Sequence, residues 1–278
     1  MRIDAHQHFW KFDPSRDSWI TDEMSVLRRD FLPYDLRPEL TANDFTGSVV
    51  VQASQSESET HFLLDLAKHD SSILGVVGWI NFMSPDIADR LSYFRQFNKL
   101  CGFRHILQAE SDDRFMLRDE FLRGVNLLAR FGFTYDILIY PRQLPAAIEL
   151  VANIPNQTFV LDHIAKPEIA IGKLNPWAAA IRELATSPNV YCKLSGLITE
   201  ANWNCWKLSD FTPYLDVVFE SFGTDRLMFG SDWPVCLVAG SYSAVVNLIS
   251  SYLEQLPADR KAAIFGGNAV RFYGLEAV

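Results

Sequence analysis

The chain has few cysteines, no cluster of basic residues and no long apolar segment, and each absence excludes a class of protein. Its four cysteines, Cys101, Cys192, Cys205 and Cys236, stand far apart without a Cys-x-x-Cys pair. This spacing fits reduced thiols better than a disulfide framework or a zinc ribbon, which indicates the cytoplasm. A formal net charge of −9 with no basic run argues against a nucleic-acid partner. No stretch of about 18 apolar residues occurs and the first residues lack a secretory pattern, so we expect neither membrane insertion nor export.

A Gly-x-Gly-x-x-Gly turn is also missing after the first predicted strand, which argues against a dinucleotide-binding fold. Short β-branched or aromatic runs instead alternate with helical patterns along all 278 residues. This alternation predicts an α/β protein, a single-domain (β/α)₈ TIM barrel over residues 1–278, although periodicity alone leaves an open doubly wound sheet as an alternative. The eight predicted strands are Ile3–His6, Gly47–Gln52, Ile73–Ile80, Cys101–Ile106, Phe133–Ile139, Gln157–His163, Asn189–Leu194 and Arg226–Ser231.

The longest predicted connection runs from Trp10 to Thr46 and carries several aromatic residues among many charges. A connection of this length in a compact domain usually serves function. In a barrel, we expect it to lie over the C-terminal mouth of the strands.

Ionisable side chains stand at the ends of six of the eight predicted strands. In barrel enzymes these ends converge on one pocket, and burying such groups without partners costs several kcal/mol each. They must therefore pair, bind a ligand or face a wet cavity. The residues concerned are His6 and His8, Arg104 and His105, Asp136, Asp162 and His163 followed by Lys166, Lys193 with Ser195, and Ser231 with Asp232.

His6 and His8 are two residues apart, so on a strand both imidazoles point to the same face. Histidines in this spacing also occur simply as hydrogen-bonded residues at a strand end. Adding Asp232 and His163 favours a metal site, because neutral imidazoles with one or two carboxylates suit zinc or manganese.

Six segments resemble the amidohydrolase superfamily, in its branch of sugar-lactone and related lactone hydrolases, and they occur in the same order as in that family. The resemblance covers nearly the whole chain. The segments are His6-Gln7-His8-Phe9-Trp10, Gly102-Phe103-Arg104-His105, Leu161-Asp162-His163-Ile164-Ala165-Lys166-Pro167, Lys193-Leu194-Ser195-Gly196, Phe229-Gly230-Ser231-Asp232-Trp233-Pro234 and Gly267-Asn268-Ala269-x-Arg271-Phe272-Tyr273.

The resemblance implies a (β/α)₈ barrel that hydrolyses a small polyhydroxylated or acidic lactone, a sugar 1,4- or 1,5-lactone. It implies that Asp232 takes the proton from the attacking water. For the other catalytic group we predict His163. The ester carbonyl is polarised by a metal held by His6 and His8 or, without a metal, by His163 and Arg104 as hydrogen-bond donors to the oxyanion. We predict that the substrate-binding residues are Arg104, Lys193, Trp10 and His105.

For the cofactor we predict one divalent metal, zinc in first place, held by His6, His8 and Asp232. Members of this branch differ in needing a metal, so a metal-independent enzyme stays open. A two-metal site is not expected, because the family's strand-four lysine or glutamate and strand-five histidine are replaced here by Arg104 or His105 and by Asp136.

Three alternatives remain at this point. Lys193 and Arg104 can instead form salt bridges to Asp136 or Asp162 inside the barrel. The same superfamily contains metal-dependent decarboxylases with a similar His-x-His pair and terminal aspartate. The chain can also be a non-catalytic sugar-acid binding barrel. The sequence does not determine which lactone is bound or what roles residues 10–46 and 196–209 have. It does not determine the oligomeric state either, and a homo-oligomer is one possibility.

Overall fold

The computed structural model describes residues 1–276, so the last two residues of the predicted domain lie outside the described part of the chain. Eight parallel strands form one sheet in sequence order. They are β1 (Ile3–Gln7), β2 (Gly47–Val51), β3 (Ile73–Gly78), β4 (Leu100–His105), β5 (Thr134–Ile137), β6 (Phe159–Leu161), β7 (Val190–Leu194) and β8 (Leu227–Phe229). Each predicted strand overlaps one of these.

Beyond the last strand, backbone hydrogen bonds bring the chain back to the first. The amide of Asp232 donates to the carbonyl of His6 at 2.8 Å, and the amide of His8 donates to the carbonyl of Trp233 at 2.7 Å. These two bonds join the β8 end to the β1 end. The fold is therefore a single-domain (β/α)₈ barrel, as predicted, and its seam lies directly at the predicted functional residues.

Helices follow the strands and cover the outside of the barrel. They are α1 (Pro33–Ala42), α2 (Glu57–His69), α3 (Ile87–Phe94), α4 (Asp119–Phe131), α5 (Leu144–Asn153), α6 (Trp177–Leu184), α7 (Leu208–Phe222), α8 (Tyr242–Tyr252), α9 (Ala258–Ala262) and α10 (Asn268–Tyr273). Within residues 1–276, none of them is long and apolar enough to cross a bilayer.

The prediction of one connection from Trp10 to Thr46 is wrong for its second half, because α1 occupies Pro33–Ala42. This helix contains Pro38 and buries only Leu36 and Leu40, one turn apart. Its apolar pattern is thus too sparse to stand out among the surrounding charges. The first half, up to Leu32, is the true loop.

The barrel has two hydrophobic clusters, and their positions show which side chains of a strand point outward and which point into the barrel. The larger cluster packs the outer face of the strands on the helices, and a smaller one, with Val51, Val160 and Met228, includes Phe272 and Tyr273 of α10. Alternation along a strand explains the charged residues inside: Lys193 stands between Cys192 and Leu194, both of which belong to the outer cluster. Lys193 therefore points into the barrel.

Candidate functional site

A cavity of about 260 Å³ opens at the C-terminal mouth of the barrel. Its wall combines polar groups from strand ends with aromatic and aliphatic groups from loops, the composition expected of a small-molecule site. The lining residues are His8, Trp10, Trp19, Ala53, Arg104, Ile106, Gln108, Ala109, Leu138, His163, Lys166, Asp232 and Val235.

Asp232 lies where three imidazoles converge. Its Oδ1 is 3.3 Å from Nε2 of His8, 3.8 Å from Nε2 of His6 and 4.0 Å from Nε2 of His163. The backbone of Asp232 is left-handed, with φ of 56°. Aspartate tolerates this conformation better than most residues. The hydrogen bond that the backbone amide of Asp232 donates to the His6 carbonyl stabilises it. The predicted meeting of the first and last strand ends is thus present.

The imidazole of His8 is fixed by the backbone of β2. Its Nδ1 lies 2.7 Å from the carbonyl oxygen of Val51, which can only accept a hydrogen bond. Nδ1 of His8 therefore carries a proton, and in the neutral imidazole Nε2 presents a lone pair toward Asp232 and toward Nε2 of His6, which is 3.2 Å away. A lone pair in this position suits a metal ligand.

His6 has two candidate partners for its other ring nitrogen. Nδ1 lies 3.1 Å from Nζ of Lys193 and 3.3 Å from Oδ1 of Asp162. Donation from Nδ1 to Asp162 leaves a lone pair on Nε2, which Nη1 of Arg104 approaches at 3.4 Å, whereas donation from Lys193 places the proton on Nε2. The tautomer of His6 is thus set by the buried charges behind it.

Lys193 does not reach the cavity, so its predicted substrate-binding role is not supported by the geometry. The side chain is fully buried, with Nζ 2.5 Å from Oδ2 of Asp136 and 2.9 Å from Oδ1 of Asp162. The hydroxyl of Tyr273 donates to the same Asp136 oxygen at 2.8 Å. The salt-bridge alternative for Lys193 is the one found, because a buried ammonium requires carboxylate partners.

Arg104 forms the predicted salt bridge to Asp162 and also lines the cavity. Its Nη1 donates to Oδ2 of Asp162 at 2.9 Å, and its Nη2 donates to the side-chain oxygen of Gln52 at 3.0 Å and to the backbone carbonyl of the same residue. The guanidinium nevertheless lines the cavity. It is therefore a rigidly held cation at the edge of the site. Gln52 was missed by the sequence analysis, although it ends the predicted second strand.

His163 is positioned by β7. Its Nδ1 lies 2.9 Å from Oγ of Ser195, so the ring turns Nε2 toward Asp232. Gly196 makes room for this ring: a Cβ at that position would lie 2.6 Å from Nδ1 of His163. In the Lys-Leu-Ser-Gly motif, Lys193 is thus a buried cation, the hydroxyl of Ser195 orients the ring of His163, and Gly196 leaves room for that ring.

The charges in the site follow from burial and from these neighbours. Burial opposes ionisation of Asp232, but His163, His8 and Lys166 outweigh it and hold the pKa of Asp232 below its ordinary value. Burial lowers the pKa of His163 well below its usual range, and it does the same to His6. At neutral pH the Asp232 carboxylate therefore faces the neutral imidazoles of His6 and His163, which suits both a base and a metal site.

His105 does not line the cavity, so its predicted contact with a substrate is not supported either. Its Nε2 lies 2.8 Å from Oε1 of Glu110, and its ring stacks on Phe115 at 5.3 Å between centroids. Adjacent strand residues point to opposite faces, so Arg104 occupies the inner face and His105 packs among the loop and helix residues outside. Either of the two was compatible with the sequence.

Trp10 and Trp19 form an aromatic wall of the cavity, from the loop predicted to lie over the mouth. The rings meet edge to face with centroids 6.0 Å apart. Trp10 is buried and its indole N–H donates to the carbonyl of Arg29 at 3.0 Å, whereas Trp19 is 42% exposed. Trp10 was predicted; Trp19 was not, because nothing in the loop sequence fixes its direction.

Within residues 1–276, two groups of side chains bring three ligand atoms within 4.8 Å of one another: His6, His8 and Asp232, and His6, Asp162 and His163. Of these, only the first group contains His8, whose ring orientation is fixed by the Val51 carbonyl so that Nε2 faces Asp232. In the second, Asp162 already receives hydrogen bonds or charge from Arg104 and Lys193. The donor chemistry of the first group, two imidazoles and a carboxylate, fits zinc.

Comparison with known proteins adds independent evidence. A family model described as Amidohydrolase matches residues 3–275. The chain is 43% identical to the L-fucono-1,5-lactonase of Burkholderia multivorans over 99% of this chain and 96% of the relative, and 37% identical to that of Burkholderia ambifaria over 99% and 96%. A crystal structure of an amidohydrolase from Burkholderia multivorans with bound zinc superposes with a TM-score of 0.96 at 43% identity, covering 99% of this chain and 100% of that one.

Proposed function

The chain belongs to the amidohydrolase family, and from that premise we propose that it uses water to open the ring ester of a small polyhydroxylated lactone, a sugar 1,4- or 1,5-lactone. The relatives named as L-fucono-1,5-lactonases support this substrate class. The cavity supports it too, because its volume of about 260 Å³ and its tryptophan wall suit one sugar ring.

Asp232 is the general base of this reaction. Its carboxylate is ionised at neutral pH and lies in the cavity wall, so it can take a proton from a water held beside the ester carbon. Proton transfer by a positioned group contributes typically 10²- to 10⁴-fold. After the ring carbon–oxygen bond breaks, the leaving oxygen needs a proton, and Asp232 returns the one it took.

Arg104 and His163 stabilise the negative charge that develops on the carbonyl oxygen. Both line the cavity, and both are held by buried partners, Asp162 and Ser195, so neither has to reorganise as charge develops. Pre-positioned donors of this kind are worth about 10²- to 10³-fold each.

His6, His8 and Asp232 are the residues that would hold a single zinc ion. The fit rests on the lone pair of His8, fixed by the Val51 carbonyl, and on the short separation of the three donor groups. When bound, zinc would supply a Lewis acid for the ester carbonyl and lower the pKa of water. A zinc-bound crystal structure at 43% identity supports this choice of metal.

The observation that carries the proposal is the convergence of Asp232 Oδ1 with three imidazoles within 4.0 Å, in the wall of one cavity. The test is proton release from a panel of aldono-1,4- and 1,5-lactones, with Asp232→Asn beside the matched control Asp65→Asn. Asp65 is 72% exposed on α2 and does not line the cavity.

We expect Asp232→Asn to lose at least 10²-fold in kcat and the control to match the unmutated protein. An unmutated protein that binds sugar acids but opens no lactone would refute the proposal in favour of a binding protein. Carbon dioxide release from aromatic or muconate acids, with no lactone turnover, would refute it in favour of a decarboxylase.

A further inference from the structure

Lys166 lines the cavity together with Asp232 and His163, and the roles assigned above make no use of it. Its side chain is only 13% exposed. Within residues 1–276, its one side-chain hydrogen bond is to Oε1 of Glu200, at 3.2 Å. An ammonium has three N–H donors, so two remain for a molecule in the cavity.

Lys166 is the last of four consecutive residues with a left-handed backbone conformation. His163, Ile164, Ala165 and Lys166 all have positive φ, between 47° and 59°. A left-handed conformation costs roughly 1–2 kcal/mol per non-glycine residue, so four in succession persist only where the surroundings impose them.

Two hydrogen bonds and the core impose this turn. The indole N–H of Trp177 donates to the carbonyl of Ile164 at 2.7 Å, and the amide of Lys166 donates to the carbonyl of His163 at 2.8 Å. Ile164 and Ala165 are fully buried. The two central residues thus anchor the turn in the core, and the first and last, His163 and Lys166, both face the cavity.

Lys166 remains charged throughout the range in which the enzyme would work. Burial disfavours its charge, but Glu200 and Asp232 outweigh burial and raise the pKa of Lys166. Arg104, the other permanent cation of the cavity wall, is already paired with Asp162 and hydrogen-bonded to Gln52. Lys166 is therefore a cation of the cavity wall with donors left over.

We propose that Lys166 is a further catalytic residue, which donates a hydrogen bond to the ring oxygen of the lactone and stabilises its negative charge as the ring opens. The inference rests on the proposed lactone hydrolysis. Water adds to the carbonyl carbon and gives one proton to Asp232. The bond between the carbonyl carbon and the ring oxygen then breaks, the oxygen keeps the electron pair, and it receives the proton from Asp232. Lys166 keeps all of its protons.

This assignment divides the charges of the transition state between two sets of donors. Arg104 and His163 act on the carbonyl oxygen, and Lys166 acts on the leaving oxygen. A residue acting on the leaving oxygen matters most when that oxygen is a poor leaving group, and it matters little for a stable phenoxide. A hydroxyl-binding lysine would show no such dependence.

The test compares Lys166→Ala, Lys166→Arg and the control Lys173→Ala on a sugar 1,5-lactone and on the aryl lactone dihydrocoumarin. Lys173 belongs to the same loop and pairs with Glu168 at 2.6 Å, but it is 52% exposed. Thermal melts of each variant identify any that fail to fold.

On the sugar lactone we expect Lys166→Ala to lose about 10²- to 10³-fold in kcat with KM changed less than about 3-fold, the size seen for one lost transition-state donor. Added ethylammonium should restore part of this loss. Lys166→Arg should keep most of the activity, the control all of it, and dihydrocoumarin turnover should fall less than about 10-fold.

A loss confined to KM, or an equal loss of kcat on both lactones, would overturn the inference while leaving lactone hydrolysis intact. If the unmutated protein opens no lactone, both proposals fail together. The unmutated rate thus reports on the proposed function, and the ratio of variant to unmutated rates reports on Lys166.

Discussion

Nδ1 of His6 lies 3.1 Å from Nζ of Lys193, and both groups contact the same carboxylate oxygen of Asp162. This triangle couples the barrel interior to the site, because the proton arrangement inside it decides what Nε2 of His6 can offer. A proton on Nδ1 directed at Asp162 leaves a lone pair on Nε2 that suits a metal ligand, whereas a proton on Nε2 makes His6 a hydrogen-bond donor toward His8 or Asp232.

Replacing Lys193 by methionine should destabilise the protein strongly. The change leaves the fully buried Asp136 and Asp162 without their shared cation, and breaking a buried pair on one side costs about 3–5 kcal/mol. Denaturant unfolding measures this loss. Lys173→Met, at an exposed pair, should cost less than about 1 kcal/mol. Equal effects of the two substitutions would show that the buried triangle does not stabilise the barrel.

Zinc content should depend on His8 and not on His105, a buried histidine at the end of another strand. We expect purified protein dialysed against zinc to hold one equivalent by elemental analysis, and His8→Gln to weaken zinc binding by at least about 10-fold, since it removes one of three ligands. His105→Gln is the control, because His105 packs on Phe115 outside the cavity. Retention of full zinc by His8→Gln would place the ion elsewhere.

Removing the metal tests its part in turnover separately. Metal-stripped protein should lose most lactone hydrolysis and regain it on addition of zinc, because the ion would polarise the ester carbonyl. Unchanged turnover after complete stripping, verified by elemental analysis, would remove the catalytic role of zinc and leave Arg104 and His163 as the donors to the carbonyl oxygen.

The strand pattern predicted the barrel because buried parallel strands are short apolar runs, and eight of them alternate here with helical segments. Barrel topology then brings the strand ends together. For this reason Asp232 is expected beside His6 and His8, although it follows them by more than 200 residues in the sequence. The same argument cannot resolve neighbours on one strand. Arg104 and His105 point to opposite faces, and only the register of β4 decides which one lines the cavity.

Loop residues escaped prediction for a different reason. Trp19 lines the cavity, but its direction depends on how the loop before α1 packs, and no periodic pattern encodes this. The left-handed turn at His163–Lys166 was equally hidden, because it contains no glycine to mark positive φ. Gln52, by contrast, lies at the end of a predicted strand. The argument that strand ends converge on one pocket therefore predicts its position near the site as well as it does for the charged residues.

Replacing Gly196 by alanine should disable His163. The new Cβ would lie 2.6 Å from Nδ1 of His163, so the ring must move and lose its hydrogen bond to Ser195. We expect kcat/KM for the lactone to fall by about 10²-fold or more. Stability should also fall by about 1–2 kcal/mol, because the φ of Gly196 is +60°.

Gly172→Ala separates these two effects. Gly172 has a φ of +65°, but a Cβ there meets no atom within 4 Å. This variant should show the same backbone cost in unfolding experiments with kcat/KM unchanged. A Gly196→Ala enzyme as active as Gly172→Ala would show that the position of His163 does not matter for turnover.

The contribution of Glu59 to stability should become less favourable as pH rises through the weakly acidic range. Burial raises the pKa of this carboxyl to about 7, although the amides of Ser54 and Ala53 donate to it and act in the opposite direction. In the unfolded chain a glutamate has a pKa of about 4.3. Below that value both states are protonated and Glu59 has no effect on stability. Between about pH 4.3 and 7 the unfolded chain releases the proton while the folded protein keeps it, so the free energy of unfolding decreases.

Above about pH 7 the full penalty remains, of about 3–4 kcal/mol relative to a chain in which residue 59 does not titrate, since one pKa unit is worth about 1.4 kcal/mol. Glu59→Gln supplies that chain. Its unfolding free energy should match that of the unmutated protein near pH 4.5 and exceed it at pH 8, as measured by urea titration at several pH values. Glu183→Gln, an exposed change on α6, should run parallel to the unmutated protein. Parallel curves for Glu59→Gln as well would mean that Glu59 is already ionised in the folded protein at pH 4.5, held by the two backbone amides against the cost of burial.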